Sequence, residues 1–277
     1  MIALFKSPIW ICVVLFSGIF SPAMAAGSDR GAELIRIIGM DVALNGFSES
    51  VKSSSGGFGA NNRALEELQN DLADKHFDGD ILMGAMAVLI NDRFTDSEYD
   101  DITAFLSQGA GLRITEAEKF AQDPANEDLR AAQIDEAVSD LITNRPERMD
   151  QIGRMIVAMD MVNSGTALAM NLSYAMMSGM ASSGKMPGDF SEDRILGMLE
   201  SQREMMEQQI IRSTIEEAAF TYRDISDADM DAYIAFLESD LGQKLYNILN
   251  AALVDVLTNA SRKFGRELIE QSGVREL

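Results

Sequence analysis

A stretch of this chain occurs twice, and any fold it adopts must accommodate both copies. Residues 94–114 align without a gap on residues 225–245, at a constant offset of 131. Asp96 matches Asp227, Asp100 matches Asp231, Ala104-Phe105-Leu106 matches Ala235-Phe236-Leu237, and Gly111 matches Gly242. Conservative pairs lie between them, such as Thr95 with Ser226 and Glu98 with Asp229. Nearer the start of each unit, Ile37-Ile38-Gly39-Met40-Asp41 aligns with Ile156-Val157-Ala158-Met159-Asp160, at an offset of 119. The offsets differ by 12, which places extra residues in the second copy ahead of its loop Ser182-Ser183-Gly184-Lys185-Met186-Pro187-Gly188; the first copy has Ser53-Ser54-Ser55-Gly56-Gly57-Phe58-Gly59. Two blocks in the same order predict duplication of a whole unit. The boundary is expected near Asn144-Arg145-Pro146, because proline disfavours helix at the residue before it.

The units read as helical. Leu245, Ile248, Leu249, Ala252, Leu253, Val256, Leu257, Ala260 and Phe264 recur at spacings of three and four, with Lys244, Asn247, Asp255, Asn259 and Arg262 on the other side. That is one apolar stripe of an amphipathic helix. Thr95-Asp96-Ser97-Glu98 and Ser226-Asp227-Ala228-Asp229 place a hydroxyl three residues ahead of a carboxylate, the arrangement that satisfies donors a helix start leaves unpaired. Further helices are expected over 31–51, 64–73, 81–92, 129–143, 147–180 and 192–222. Alternating strand-like runs are missing. The first copy departs at Gln122-Asp123-Pro124, where proline should split the final helix and leave residues 129–143 to pack across or between the domains. The expected fold is all-α: a signal segment over 1–25, then two tandem helix-bundle domains related by internal duplication, over 27–145 and 147–277.

The beginning of the chain points to export. One positive charge at Lys6 precedes an apolar run from Ile9 to Phe20; Ser21-Pro22 break it, and Ala23-Met24-Ala25 offer small residues to a signal peptidase. Cleavage is expected after Ala25, with Ala26 the next best position. The run is short of the roughly 20 residues a membrane anchor requires. Cleavage removes Cys12, the only cysteine, and leaves a chain without disulfides or cysteine-based metal sites. Without Lys6 the chain carries 22 Lys and Arg against 44 Asp and Glu, a net charge of −22. Such a surface repels nucleic acid and anionic lipid, so neither is an expected partner. No further apolar run is long enough to span a membrane, and a soluble periplasmic or secreted protein is expected.

The second copy also resembles a bacterial envelope family known as domain of unknown function 2059. The resemblance rests on an acidic helix start, an aromatic, a serine, and a glycine followed by a basic and an apolar residue: Asp227, Asp229, Phe236, Ser239, Gly242, Lys244 and Leu245. The proline usual after the serine is replaced by Asp240, and in the first copy Gln108 and Arg113 stand at the serine and basic positions. The resemblance covers roughly the last sixty residues and implies an exported, all-helical protein; it implies no mechanism. Ser239 is expected to cap a helix and Gly242 to let two helices pack closely.

Catalytic and metal patterns are weak. His76, the single histidine, cannot form a zinc site without carboxylates and is read as a solvated loop residue. Ser182 and Lys185 have the spacing of some acyl-enzyme hydrolases, but Gly184 and Pro187-Gly188 would not hold that geometry. Asp224 to Asp229 lacks the glycine and glutamate of an EF-hand. The oddity is methionine, 18 in all. Most lie at helical spacing and read as core filling; the rival readings are an adaptable groove for a hydrophobic peptide or acyl chain, and soft ligation of Cu(I). The groove would be lined by Met161, Met170, Met176, Met177 and Met180, because residues 161–180 are apolar over nearly the whole helix circumference. No catalytic residue, metal or cofactor is assigned. The expected function is a non-enzymatic binding or scaffold protein of the envelope, acting through helix faces on an envelope protein. The alternatives are a carrier for a hydrophobic ligand in the Met-rich groove and a hydrolase.

Overall fold

The computed structural model describes residues 30–54, 63–182 and 191–272, and among these every regular element is helical. The expected signal segment, most of the two small-residue loops and the last five residues lie outside the described residues. In chain order the helices are α1 (Arg30–Ile37), α2 (Met40–Ser54), α3 (Arg63–His76), α4 (Gly79–Ile90), α5 (Asp96–Leu106), α6 (Gly109–Gln122) and α7 (Glu127–Asn144). They continue as α8 (Pro146–Ala158), α9 (Met161–Ser182), α10 (Glu192–Glu200), α11 (Arg203–Thr221), α12 (Asp227–Leu237) and α13 (Asp240–Gln271). No described helix is long and apolar enough to cross a membrane.

Three of the expected long helices are each two. The helix over 31–51 breaks at Gly39, with φ 63°, and the helix over 147–180 breaks at Asp160, with φ 50°. Both breaks carry the same capping bonds: Ile38 N–H to the Leu34 carbonyl and Gly39 N–H to Arg36, then Met159 N–H to Met155 and Asp160 N–H to Val157. A left-handed residue ends a helix by satisfying its last carbonyls; glycine takes that conformation freely, and aspartate is one of the few side chains that tolerates it. The breaks pair Gly39 with Asp160, an offset of 121 rather than the 119 of the sequence match. The third expected helix, over 192–222, turns at Ser201-Gln202. In the opposite sense, α13 runs 32 residues, well beyond its clearest apolar stripe.

The hairpin ends follow from their caps. Thr95 and Glu98 form the reciprocal capping box at the start of α5, whereas Ser226 accepts from the Asp229 N–H at the start of α12 without the backbone return bond. Ser239 caps α13 by accepting from the Gly242 N–H at 3.1 Å. Gln108, at the aligned position, caps nothing with its side chain, and α6 opens instead on Gly109 with φ 55°. A Cβ at Gly111 would fall on the Phe105 carbonyl, and one at Gly242 on the Phe236 carbonyl. The second helix of each hairpin therefore starts directly against the end of the first.

The two halves interlock. Pro146 opens α8 at the expected boundary, but the apolar core does not divide there: one cluster holds Leu34, Ile35, Met86 and Ile102 together with Ile152, Met155, Tyr233 and Leu257. Pro124 splits the last helix of the first half, and α7 crosses to pack on α11 of the second. The far end of α13 returns the exchange by packing on α3 and α4. Phe264 sits 5.6 Å from Phe77, which sits 5.2 Å from Phe47, so three aromatic rings join α13 to the first half.

The longest contact lies between α9 and α13. There a Cβ at Gly179 would fall on the Arg262 carbonyl and one at Gly265 on the Met176 carbonyl, so the two backbones touch. Gly265→Ala is expected to lower stability by about 1–3 kcal/mol despite alanine's better helix propensity, because overpacking outweighs it. Gly84→Ala, in open space on α4, is expected to raise stability by up to about 1 kcal/mol. Urea denaturation of the two variants beside the parent measures both.

Candidate functional site

The hairpins α5–α6 and α12–α13 meet each other through matched residues. Phe105 and Phe236 stack at 4.1 Å with their planes 13° apart, and the Tyr233 ring lies 6.5 Å from Phe105. Arg113 forms a two-pronged pair with Asp229, its Nε at 2.9 Å, and Lys244 Nζ reaches both oxygens of Glu98 at 2.7 and 2.8 Å. At the offset of 131, Arg113 aligns with Lys244 and Glu98 with Asp229. Each hairpin thus gives the other the contact it receives, the pattern of a two-fold interface.

The charges at the rim respond to these pairs. The Lys244 ammonium holds Glu98 down at about 2, and the Arg113 guanidinium holds Asp229 down at about 2. Their stabilising contribution is full above the ordinary carboxylate values and is lost as pH falls toward 2. Half-exposed at the rim, these pairs set register more than they add stability.

Behind the rim lies a polar cluster that is out of solvent. Glu118 on α6 is 3 % exposed and accepts from the Tyr222 hydroxyl at 2.7 Å. Tyr233 of α12 also hydrogen-bonds it, and the Tyr233 and Tyr246 hydroxyls lie 2.9 Å apart. Burial pushes the Glu118 carboxyl up to about 7, against the opposing pull of the two tyrosines. Arg148 of α8, 4 % exposed, donates to the Tyr222 carbonyl at 2.6 Å, the Ile225 carbonyl at 2.7 Å and Asp227 at 2.6 Å. It fastens the turn between α11 and α12. A small hollow of about 20 Å³ beside it is lined by Arg145, Arg148, Tyr222 and Arg223, among others. Each of the three guanidiniums already has a carboxylate partner, Asp140, Asp227 and Asp224 in turn, so the arrangement is a clamp.

The methionines singled out in sequence lie elsewhere, along α9. Met180 is buried, Met161 and Met176 pack against the core, and Met170 and Met177 are half-buried. The Gly179 and Gly265 contact brings α9 and α13 together beside Met176 and Met180 and leaves no room for an acyl chain at that crossing. Ser182 ends α9 and donates to the Gly179 carbonyl at 2.7 Å, while Lys185 lies outside the described residues. His76 departs from its expected solvated loop. It closes α3, which runs further than its stripe suggested and docks on α13; its side chain is 8 % exposed with Nε2 3.3 Å from Glu267, and burial lowers its pKa. In the segment tested for calcium, Asp227 and Asp229 are spent on Arg148 and Arg113.

Glu118 and Arg148 went unnoticed in the sequence. For Glu118 the signal was there: it shares the buried stripe of α6 with Gly111, Ile114, Thr115 and Ala121. An acid on an apolar stripe marks a buried carboxyl.

Among the described residues, α4 carries several exposed apolar side chains on one face. On α4, Ile81 is 61 % exposed and Val88 79 %, with Gly84, Ala85 and Leu89 exposed between and beside them. Asp78 and Asp80 stand at one end of this face and Asp92 at the other, all exposed. Helix α11 presents Glu204, Gln208, Gln209 and Arg212 to solvent, together with Met205.

A double-mutant cycle on the stacked pair, Phe105→Leu with Phe236→Leu, is expected to return a coupling of about 0.5–1.5 kcal/mol in denaturation experiments. No family model matches the chain, and no curated protein or solved structure is significantly similar to it.

Proposed function

We propose that this is an exported, non-enzymatic binding or scaffold protein of the bacterial envelope, whose docking surface is the outer face of α4. The observation that carries the reading is that face: an apolar stripe from Ile81 to Val88 open to solvent. Solvent-facing apolar stripes on a packed helix mark interaction sites more often than they serve folding. Charge selects the occupant. The face is bounded by Asp78, Asp80 and Asp92 on a chain of net charge −21, so it suits an amphipathic helix of a protein partner with basic residues flanking its apolar side.

Export is supported by the Lys6, Ile9–Phe20 and Ala23-Met24-Ala25 pattern, and by the resemblance of the last sixty residues to an exported helical family. The two halves are read as copies of one unit. Their support is the repeated sequence blocks, the paired breaks at Gly39 and Asp160, and the reciprocal contacts of Arg113 and Lys244. The carrier reading draws only on Met170 and Met177, the half-buried members of the α9 set outside the core.

The test is the native mass of the protein purified from its own compartment, for the parent and for Ile81→Gln/Val88→Gln. Both positions are exposed, so the variant should fold as the parent does. A partner protein retained by the parent and bound at least tenfold more weakly by the variant is the expected result, since each apolar side chain covered by a partner is worth about 1.5–3 kcal/mol. A lipid-sized adduct on both proteins would replace the scaffold reading with the carrier.

A further inference from the structure

We propose that Glu118 is a proton-operated latch: neutral, it lets α6 close against α11 and α12; ionised, it loosens that joint between the two halves. The inference is independent of what binds α4.

The geometry carries it. Glu118 belongs to the first half, whereas Tyr222, Tyr233 and Tyr246, which surround or back its carboxyl, belong to the second. The residue is 3 % exposed, and among the described residues its carboxyl is met by the Tyr222 and Tyr233 hydroxyls. A carboxylate out of water with only hydroxyl donors is poorly stabilised, so the neutral acid is the form this site accommodates. Cations on the elements around it are occupied elsewhere. Arg130 of α7 donates to the Ala121 carbonyl and lies 3.9 Å from Glu217 of α11; Arg148 of α8 is held by Asp227 of α12. On α6 itself Arg113 is paired with Asp229, and burial lowers the Lys119 pKa against the opposing charges of Glu116 and Asp41.

The sign follows from the direction of the shift. Unfolded, the carboxyl titrates near its ordinary 4.5; folded, it is raised to about 7. The folded state therefore binds more protons between those values, so the contribution of Glu118 is complete below the lower one and is lost as pH rises through the higher. Other groups titrate nearby: Glu217 and Asp41 are also raised by burial, and His76 is lowered by burial, which acts in the opposite sense. A comparison of variants isolates Glu118 from them.

The experiment is urea denaturation of the full mature chain between pH 5 and 8, for the parent, Glu118→Gln and Tyr222→Phe. Relative to Glu118→Gln, the folding constant of the parent should fall roughly a hundredfold over that range. Hydrogen exchange, corrected for its intrinsic pH dependence, should show protection lost in α6 and α12 of the parent and kept in Glu118→Gln. Tyr222→Phe removes a donor to the ionised form, so its loss should extend to higher pH. Parallel curves for the parent and Glu118→Gln would overturn the latch. Should Glu118→Gln fail to fold, carbon-13 titration of the parent's Glu118 carboxyl decides, a value near 4.5 overturning the proposal.

Discussion

The exchange of terminal helices between the halves is the constraint on which the other contacts depend. Because α7 lies on α11 while the end of α13 lies on α3 and α4, neither half can complete its core alone. The hairpin joint, with its stacked Phe105 and Phe236, sits where these crossings begin, and its crossed ion pairs fix how the hairpins register. A one-turn slip of either hairpin would separate both aromatic rings and both charge pairs at once. Packing built from side chains that interdigitate favours discrete arrangements of that kind over gradual ones.

Local pattern made most of the helices legible, and the reasons for the exceptions are specific. The stripe on α13, the capping residues Thr95, Ser226 and Ser239, and the split at Pro124 all rest on interactions within a few residues, which a sequence displays. The breaks at Gly39 and Asp160 were missed because apolar spacing runs through them and a single left-handed residue leaves no periodic trace. The burial of His76 is supplied by α13, some 190 residues away in the chain, which no local feature displays. The crossing of the halves was anticipated only for α7. Its counterpart at the end of α13 depends on a contact with α3 and α4 that no local feature announces.

The candidate surfaces divide in the same way. Methionine enrichment drew attention to α9, yet composition alone cannot separate a groove from a helix pressed against another by glycines on both sides. The α4 face lies inside a helix whose sequence is apolar nearly all round, so which side stays open is decided by α1, α2 and α13 packing on the rest. What distinguishes it is that Ile81 and Val88 lie two turns apart on one face, whereas Met205 of α11 and Val157 of α8 are exposed singly. Arg148 illustrates the converse. A buried guanidinium that bonds two carbonyls and a carboxylate is structural, however suggestive a cationic concavity looks in isolation.

The exchanged helices also change what a cut in the chain would do. The turn between α7 and α8, around Arg145 and Pro146, is where a cut would separate the two halves of the chain. Severing it would leave two fragments, each still holding a helix that belongs to the other's core. Such a nicked molecule would remain a single particle, and its clearance would have to begin by pulling a whole helix free, not by hydrolysing one exposed bond.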